Sequence, residues 1–315
     1  MTNFWLDLDK PFFALAPMEA VTDVVFRHVV ARAAAPDIYF TEFTNATGWV
    51  NAGEKAVSGR LDKTDDEKPI IAHIWGSDPD DIEKLAGHCA QLGYDGIDIN
   101  TGCPDKSAIK SGSGAALINN QPLTAEIIIA AKKSGLPVSV KARLGYSKIE
   151  EYSDWLGFLL QQDLAALTIH LRTKSEMSKV PAHHELLSSI VSLRNQIAPR
   201  TLIIANGDIN DRSHGLEIAN KYNIDGVMIG RGVFHNPFAF EKFEKNHSKK
   251  ELLGLLDLHL ELYDKRQGQQ RKFETLKRFF KIYIRDFDGA SELRHRLMQT
   301  KTTEEVRQLL GAHYK

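Results

Sequence analysis

At 315 residues, the chain can form one large domain, or one large and one small domain. Its 43% hydrophobic and 26% charged residues can bury a sizeable core without a structural metal, and its two cysteines, outside any C-x-x-C pattern, exclude a disulfide framework. The net charge of −1 conceals a basic segment at 248–315, where 15 Lys and Arg face 10 Asp and Glu, which indicates a surface for an anion.

The N-terminal residues, MTNFWLDLDKPFFALAPM, carry acidic side chains where a signal peptide would carry basic ones. No apolar run approaches the length that spans a membrane. These features predict a cytoplasmic protein that does not enter a membrane. A monomer is the expected oligomeric state.

Eight short apolar runs rich in Val, Ile, Phe and Thr recur through the first three quarters of the chain, and helical periodicity separates most of them. They are FFALAPM (12–18), DIYFTEF (37–43), PIIAHIWG (69–76), GIDINTGC (96–103), PVSVKARLG (137–145), ALTIHLRT (166–173), TLIIANGDI (201–209) and GVMIGRGVF (226–234). Strands that alternate with helices form a parallel sheet, and near-continuous apolar strands indicate a sheet buried on both faces.

Eight such units in about 240 residues match the size of a (β/α)₈ TIM barrel. A doubly wound sheet is the alternative, but no G-x-G-x-x-G follows the first strand, where that fold would place it. The predicted fold is therefore α/β, with a TIM barrel over residues 1–240.

After residue 240 the pattern becomes entirely helical, which predicts a small helical domain over residues 241–315. Within it, RKFETLKRFFKIYIRDF (271–287) has the periodicity of an amphipathic helix. Its apolar stripe comprises Leu276, Phe280, Tyr283 and Phe287, which predicts core packing. Its basic stripe comprises Arg271, Arg278, Lys281 and Arg285, which form either a solvated face or a contact to a phosphate backbone.

Nearly every predicted strand ends in a polar or ionisable residue, and in a barrel all these ends lie on one face. The residues at these ends are Pro17, Met18, Glu42, His73, Asn100, Cys103, Lys141, Arg143, His170, Arg172, Asn206, Gly207, Gly230 and Arg231. The hydrogen-bonding needs of strand ends explain one or two polar residues, but not eight that converge.

Two glycine-bearing turns, ANGDI (205–209) and IGRGV (229–233), follow the last two strands and would expose backbone N–H groups to a phosphate. Lys141 and Arg143 alternate with apolar neighbours, so both side chains point into the barrel mouth. Buried cations there require an internal carboxylate or a bound anion, and we favour an anionic cofactor. No spacing of His, Asp or Glu predicts a metal site, and AHHE (182–185) is typical of a surface connector.

Cys103 follows the fourth strand, between Gly102 and Pro104, at the cation-lined mouth. A cysteine at a strand end is often a small buried hydrophobe. A thiol in this place can also act as a nucleophile or a general acid, and DKSAIKSGSG (105–114) beyond it has the composition of a mobile loop. The residues alone predict a barrel enzyme with an anionic, phosphorylated cofactor and a functional thiol.

The motifs of the chain are similar to those of the tRNA-dihydrouridine synthases. The matching segments are APMEAVTD (16–23), TEF (41–43), DINTGCP (98–104), GSGAALI (112–118), VKARLG (140–145), IHLRT (169–173), ANGDI (205–209) and IGRG (229–232). They follow the family's order through the whole barrel, and the helical segment matches the family's second domain. PME followed by TEF resembles the bacterial C-type subgroup, which implies position 16 of the D-loop as the target.

The resemblance implies an oxidoreductase that binds FMN, uses NADPH and reduces a specific uridine of tRNA to 5,6-dihydrouridine. In the family, the flavin delivers hydride to C6 of the uracil, and the cysteine at the position of Cys103 protonates C5. The flavin-binding positions correspond to Pro17, Met18, His73, Lys141, His170, Asn206, Gly207, Asp208, Gly230 and Arg231. The substrate- or flavin-proximal positions correspond to Asn100, Arg143 and Arg172, and the expected contacts to the tRNA backbone are Arg271, Arg278, Lys281 and Arg285.

One position departs from the family pattern, because the third strand usually ends with a glutamine that contacts the flavin and this chain has His73. Histidine can donate a hydrogen bond to a ring carbonyl, but it titrates near neutral pH. We therefore expect His73→Gln to keep the flavin and to flatten any change in activity between about pH 6 and 8. An unchanged pH profile would reject this expectation. The family's tryptophan after the sixth strand is also absent near AHHELL (182–187).

Three other interpretations stay open at this point. The first is an FMN enzyme that reduces a free pyrimidine, which the basic helical domain disfavours because a free base needs no backbone contacts. The second is an RNA-binding protein or chaperone without catalysis, which the intact set of Cys103, Lys141 and His170 disfavours. The third is a dihydrouridine synthase that acts on ribosomal RNA.

Overall fold

The computed structural model describes residues 3–57, 59–243, 245–266 and 271–311. The chain divides into two compact units. The first comprises the described residues of Met1–Val24, Pro36–Ile209 and His214–Gly230. The second comprises those of Val25–Ala35, Asn210–Ser213 and Arg231–Lys315. The boundary at residue 240 stays a prediction.

The first unit is a parallel barrel, which confirms the predicted fold. Its strands are β1 (Phe12–Leu15), β2 (Tyr39–Phe40), β3 (Thr44–Asn45), β4 (Ile70–Trp75), β5 (Gly96–Asn100), β6 (Val138–Arg143), β7 (Ala166–His170), β8 (Leu202–Asn206) and β9 (Gly226–Ile229). Hydrogen bonds join them in the order β1-β9-β8-β7-β6-β5-β4-β2, and β3 pairs with β4. A bridge between Ala14 and Ile38 joins β1 to the segment before β2. Each apolar run contains a strand, and the polar end of most runs continues as a loop.

Helices separate most of the strands, as the periodicity predicted. They are α1 (Val24–Ala34), α2 (Ala46–Ala52), α3 (Glu54–Val57), α4 (Pro79–Gln91), α5 (Lys106–Lys110), α6 (Gln121–Lys132), α7 (Tyr152–Leu160), α8 (Leu187–Ile197), α9 (Arg212–Tyr222) and α10 (Gly232–His235). Short 3₁₀ helices span Phe4–Leu6, Gly114–Asn119, Ile149–Glu151 and His184–Leu186.

Helix α4 shows how the sequence sets these elements. It begins at Pro79, and the side chain of Asp78 accepts hydrogen bonds from the backbone N–H groups of Asp80 and Asp81. Proline at the first position and an acidic cap both stabilise a helix start, since the first amide groups lack partners within the helix. The buried face of α4 includes Cys89, which is therefore a core residue.

The barrel interior is filled by apolar side chains at the end where the strands begin. This cluster includes Trp5, Phe12, Ala14, Ile38, Phe40, Ile71, Leu202, Ile204 and Met228. Gly226 leaves room for Phe12, because a Cβ at residue 226 would lie 2.3 Å from Cε2 of Phe12. The filled lower layer leaves the opposite end, where the strands finish, for a ligand.

The second unit is helical in its described residues. Its C-terminal helices are α11 (Lys249–Arg266), α12 (Phe280–Tyr283), α13 (Ala290–Gln299) and α14 (Thr303–Gly311). Phe26 of α1 packs in this unit against Phe279, with 4.9 Å between the ring centroids. None of the described helices is long and apolar enough to cross a bilayer.

The prediction of one amphipathic helix over 271–287 is wrong. The segment forms a 3₁₀ helix, Phe273–Phe279, followed by the single turn of α12. Ile282, Tyr283 and Ile284 are all buried, and three consecutive residues cannot share one face of an α-helix. The predicted core packing of Leu276, Phe280 and Tyr283 is confirmed, whereas the four basic residues do not form a stripe on one continuous helix.

Candidate active site

Cys103 lies on a turn that the last residue of β5 holds in place. The side-chain Oδ1 of Asn100 accepts hydrogen bonds from the backbone N–H groups of Gly102, at 3.1 Å, and Cys103, at 2.9 Å. The Cys103 carbonyl accepts from Ala115 N at 2.9 Å. Residue 114 must be glycine here, because its φ is +57° and a Cβ would lie 2.8 Å from that carbonyl oxygen. The thiol is therefore positioned from both sides.

The segment after Cys103 is not the loop that its composition predicted. It contains α5, which begins because Asp105 Oδ1 accepts from Ser107 N at 2.8 Å. Burial raises the pKa of the half-buried Cys103 thiol, and the charges of Arg143 and Lys141 only partly oppose this effect. A thiol that keeps its proton at neutral pH is suited to donate that proton rather than to attack as a thiolate.

Lys141 and Arg143 both lie beside this thiol, as the alternation in β6 predicted. Arg143 donates from Nε to Gly102 O at 2.7 Å and from Nη1 to the carbonyls of Thr173 and Met177, both at 3.0 Å. It thereby joins the Cys103 turn to the segment that follows β7. Burial lowers the pKa of Arg143 to about 10.

Lys141 has a different environment. Burial, followed by the charge of Arg143, lowers the pKa of its ammonium to about 8. Within the part of the chain that the structure describes, Lys141 Nζ makes no hydrogen bond or ion pair. A cation held in this way favours an anionic ligand.

His73 and Asp98 form a fully buried pair on the adjacent strands β4 and β5. Nδ1 of His73 lies 2.6 Å from Oδ2 of Asp98, and the other carboxylate oxygen accepts from Ser139 Oγ at 2.6 Å. Both His73 and Asp98 are 0% exposed. Nε2 of His73 has no hydrogen-bond partner among the described residues. Such an orphaned polar atom is costly unless a ligand satisfies it.

His170 and Arg172 lie at the end of β7 and interact with one another. Nη1 of Arg172 lies 3.2 Å from Nε2 of His170. The same arginine donates from Nε to Val180 O at 2.6 Å, and its Nη2 pairs with Asp208. Because arginine can only donate, Nε2 of His170 accepts and its Nδ1 carries the proton in the neutral ring. Asp208 also accepts from Ala182 N at 3.0 Å. Arg172 and Asp208 thus hold the chain around His170.

The two glycine turns follow β8 and β9, as predicted. Asn206 donates from Nδ2 to Met228 O at 2.8 Å and so joins the two strand ends. Residue 207 has a φ of +117°, and a Cβ there would approach His170 Cδ2 to 3.0 Å, so only glycine fits. A Cβ at Gly230 would lie 3.8 Å from Met18 Sδ, which places Met18 beside this turn, and Pro17 is buried next to it.

Two concavities meet at Cys103. The inner cavity is lined by Phe43, His73, Asn100, Gly102, Cys103, Pro104, Lys141, Arg143 and His170. The outer cleft has a volume of about 470 Å³ and is lined by Glu19, Phe43, Asn45, Ala56, Val57, Arg60, Trp75, Asn100, Cys103, Asp105, Ser107 and Ala108. Phe43, Asn100 and Cys103 belong to both. Cys103 therefore belongs to the wall of both concavities.

The structure brings six of the predicted site residues to the inner cavity, namely His73, Asn100, Cys103, Lys141, Arg143 and His170. Five others belong to the second unit, namely Arg231, Arg271, Arg278, Lys281 and Arg285. Arg231 precedes α10, Lys281 Nζ lies 5.3 Å from the ring centroid of Phe234, and Arg285 Nη1 contacts His235 O.

Several residues of the site lie in segments whose local sequence pattern does not identify them. Asp98 and Ser139 lie inside apolar strands, and their importance depends on cross-strand register. The segment 182–185, predicted as surface, is half-buried apart from Glu185, and His184 Nε2 lies 2.8 Å from Gly207 O. Arg60 and Trp75 line the outer cleft from distant parts of the chain.

Comparison with known proteins gives consistent matches over almost the whole chain. A family model described as dihydrouridine synthase matches residues 14–315. A relative from Staphylococcus epidermidis named probable tRNA-dihydrouridine synthase is 57% identical over 310 residues, which cover 98% of this chain and 95% of the relative. One from Bacillus subtilis named probable tRNA-dihydrouridine synthase 2 is 56% identical with the same coverage. A solved structure of a 2-naphthoyl-CoA reductase with 2-naphthoyl-CoA has a TM-score of 0.51 at 11% identity, over 72% of this chain and 48% of that chain, a likeness of fold alone.

Proposed function

Because the chain belongs to the dihydrouridine synthase family, a family of flavin-dependent oxidoreductases, we propose that it reduces a specific uridine of tRNA to 5,6-dihydrouridine with FMN and NADPH. The family and the enzyme class that the motifs predicted are confirmed. The C-type subgroup and position 16 of the D-loop belong to the proposal, as do cytoplasmic location and a monomeric state.

The observation that carries the proposal is the placement of Cys103. Its thiol is half-buried, keeps its proton because burial raises its pKa, and lies on the wall shared by the inner cavity and the outer cleft. The reduction of a carbon–carbon double bond needs a proton donor within reach of the base in addition to a hydride donor, and Cys103 reaches the outer cleft where the base would lie. Asn100 fixes the turn, so the thiol keeps its position without help from a substrate.

The residues of the inner cavity fit FMN. The orphaned Nε2 of His73 would contact the polar edge of the ring system, and the ammonium of Lys141 would balance negative charge. Pro17 and Met18 would pack against the ring, and the turns at Asn206-Gly207 and Gly230-Arg231 would hold the phosphate. Bound there, the flavin would supply hydride for C6 of the uracil, while Cys103 Sγ holds the proton for C5.

The outer cleft fits the target base. Phe43 and Trp75 offer aromatic surfaces, while Asn45, Arg60 and Ser107 offer hydrogen-bonding groups. A uridine in a folded RNA must leave its stack to enter such a cleft, which is base flipping. The exposed Arg278 and Lys281 of the second unit are suited to contact RNA phosphates, because such contacts need charge rather than a fixed geometry.

The test is nucleoside analysis by mass spectrometry of tRNA and ribosomal RNA, mapped by position, from cells with and without the gene. Loss of dihydrouridine at one tRNA position, restored by the wild-type gene but not by Cys103→Ala, supports the proposal. Loss from ribosomal RNA alone would change the substrate. If dihydrouridine persists in both RNAs, the purified enzyme is assayed with uracil and with a tRNA transcript, and turnover of uracil alone overturns the proposal.

A further inference from the structure

Three side chains on three neighbouring strands form a buried chain that ends at the inner cavity. Ser139 Oγ donates to Asp98, and Asp98 lies 2.6 Å from Nδ1 of His73. The backbone register sets the order, since His73 pairs with Asp98 and Asp98 with Ser139 across β4, β5 and β6. The chain is therefore part of the rigid barrel.

The hydrogen bonds fix which nitrogen of His73 carries a proton. An ionised carboxylate can only accept, so Nδ1 of His73 must donate to Asp98. In the neutral ring Nε2 is then an acceptor, and it becomes a donor only when the ring takes up a second proton. The hydrogen bond to Asp98 and the packing of the ring against Phe43, at 4.8 Å between centroids, hold the ring in this orientation.

The surroundings make this second proton sensitive to the charge of a ligand. The titratable groups that share the inner cavity with His73 are Cys103, Lys141, Arg143 and His170, and among the described residues no carboxylate lines it. Asp98 lies behind the ring, and Glu42, one residue before Phe43, is buried as well. Lys141 and Arg143 place positive charges beside the ring and Asp98 lies behind it, so a negative charge added in the cavity would attract a charged ring.

We propose that Nε2 of His73 takes up one proton from solvent when the cofactor site is reduced by two electrons. This inference rests on the proposed function, because it requires FMN in the inner cavity. The nicotinamide gives a hydride, which carries both electrons and one proton, and the additional proton passes from water to Nε2. Asp98 is a positioning residue, since it holds the tautomer and stabilises the imidazolium. The protonated His73 then offsets the negative charge that reduction adds.

The test is the midpoint potential of FMN in the purified holoenzyme, measured from pH 6 to 8, for wild type and His73→Gln. One extra proton for two electrons makes the equilibrium constant change tenfold more per pH unit, which corresponds to about 30 mV. We expect the wild-type potential to fall with pH more steeply than that of His73→Gln by up to this amount. Equal slopes overturn the inference.

Two further variants distinguish a specific effect of His73 on the potential from a general effect of substitution. His88→Gln is the matched control, because His88 also contacts a carboxylate, Glu54 at 2.8 Å, but lies on α4 away from the cavity; it is expected to keep the wild-type slope. Asp98→Asn is expected to move the steep region to lower pH, since the imidazolium loses its counter-charge. An unchanged profile for Asp98→Asn contradicts its assigned role.

A measurement on the unaltered protein covers the case in which His73→Gln does not fold. With ¹⁵N-labelled histidine, Nε2 of His73 is expected to change from the acceptor to the protonated chemical shift when the holoenzyme is reduced near pH 7, and no change overturns the inference. A wild-type protein that binds no FMN overturns the proposed function together with this inference. A protein that binds FMN with equal slopes overturns this inference alone.

Discussion

The two ends of the barrel differ in whether their buried polar groups have partners within the protein. Where the strands begin, Asp225 lies 2.8 Å from both Lys10 Nζ and Arg194 Nη1, and it also accepts from Ile203 N at 2.9 Å. Burial alone would raise the pKa of Asp225, but these hydrogen bonds and charges lower it below its usual value. Where the strands finish, Lys141 Nζ and His73 Nε2 lack protein partners among the described residues. The carboxylate where the strands begin is fully partnered, whereas two polar groups where the strands finish have no protein hydrogen bond among the described residues.

The largest expected effect is the loss of chemistry at the binding end. Cys103→Ala is expected to slow dihydrouridine formation by about 10²–10⁴-fold, the usual contribution of a positioned proton donor. FMN should remain bound, because the thiol is not among the groups that balance its charge. The measurement is single-turnover reduction of a tRNA transcript, with the flavin absorbance recorded in parallel. Cys89→Ala is the control, and a similar loss there would point to misfolding.

The next largest effect is on stability, at the end of the barrel where the strands begin. Arg194→Met is expected to lower the free energy of unfolding by about 3 kcal/mol, because Asp225 keeps its burial but loses a buried partner. Urea denaturation of the wild type and the variant measures this. Lys10→Met removes the exposed partner of the same carboxylate and is expected to cost less than about 1 kcal/mol. Equal losses of unfolding free energy in the two variants would contradict the conclusion that Arg194 is the main partner of Asp225.

The corresponding substitution where the strands finish, at Lys141, should change the affinity for FMN rather than the stability. Lys141→Met is expected to weaken FMN binding about 10- to 100-fold, since a hydrogen bond to a charged group contributes about 1.5–3 kcal/mol. The free energy of unfolding of the flavin-free protein should not fall, because the burial of the Lys141 ammonium opposes its charged form more strongly than the nearby Asp98 favours it. Flavin fluorescence titration and urea denaturation give the two values. Lys133→Met, an exposed lysine paired with Glu83, should leave the affinity unchanged.

The smallest expected effect is a dependence of FMN affinity on pH, caused by Lys141. The pKa of Lys141 is lowered to about 8 in the folded protein, below its usual value in an unfolded chain. Its protonated form therefore costs stability at neutral pH, and this cost is relieved as the pH rises above 8. Because only the ammonium attracts an anion, FMN affinity should fall by about tenfold at pH 9. A flat profile in Lys141→Met, measured by the same titration, would assign the change to this residue.

The sequence predicted most of the barrel and several of the strand-end residues that line its inner cavity. The alternation of apolar runs and helices showed the eight strands, and their polar ends identified Lys141, Arg143 and Cys103 because strand ends share one face. It could not show that Asp98 contacts His73, since that contact depends on which residues face each other across β4 and β5.

Two other features depended on tertiary packing. The outer cleft combines Arg60, Trp75 and Asp105, and no local pattern connects these positions. The segment 271–287 has helical periodicity, but burial of consecutive apolar residues prevails over it. Periodicity reports one buried face, so it fails where a segment is buried on several sides.

The hydrogen bonds from Gly102 and Cys103 to the Asn100 side chain have a consequence for how such an enzyme can diversify. The Cys103 turn is tied to the end of β5, two residues before the segment that begins at Asp105. Substitutions beyond that point leave these two hydrogen bonds in place, provided that residue 114, which approaches the Cys103 carbonyl, remains glycine. In the proposed function, a change in the segment that lines the outer cleft therefore need not change the position of the proton donor.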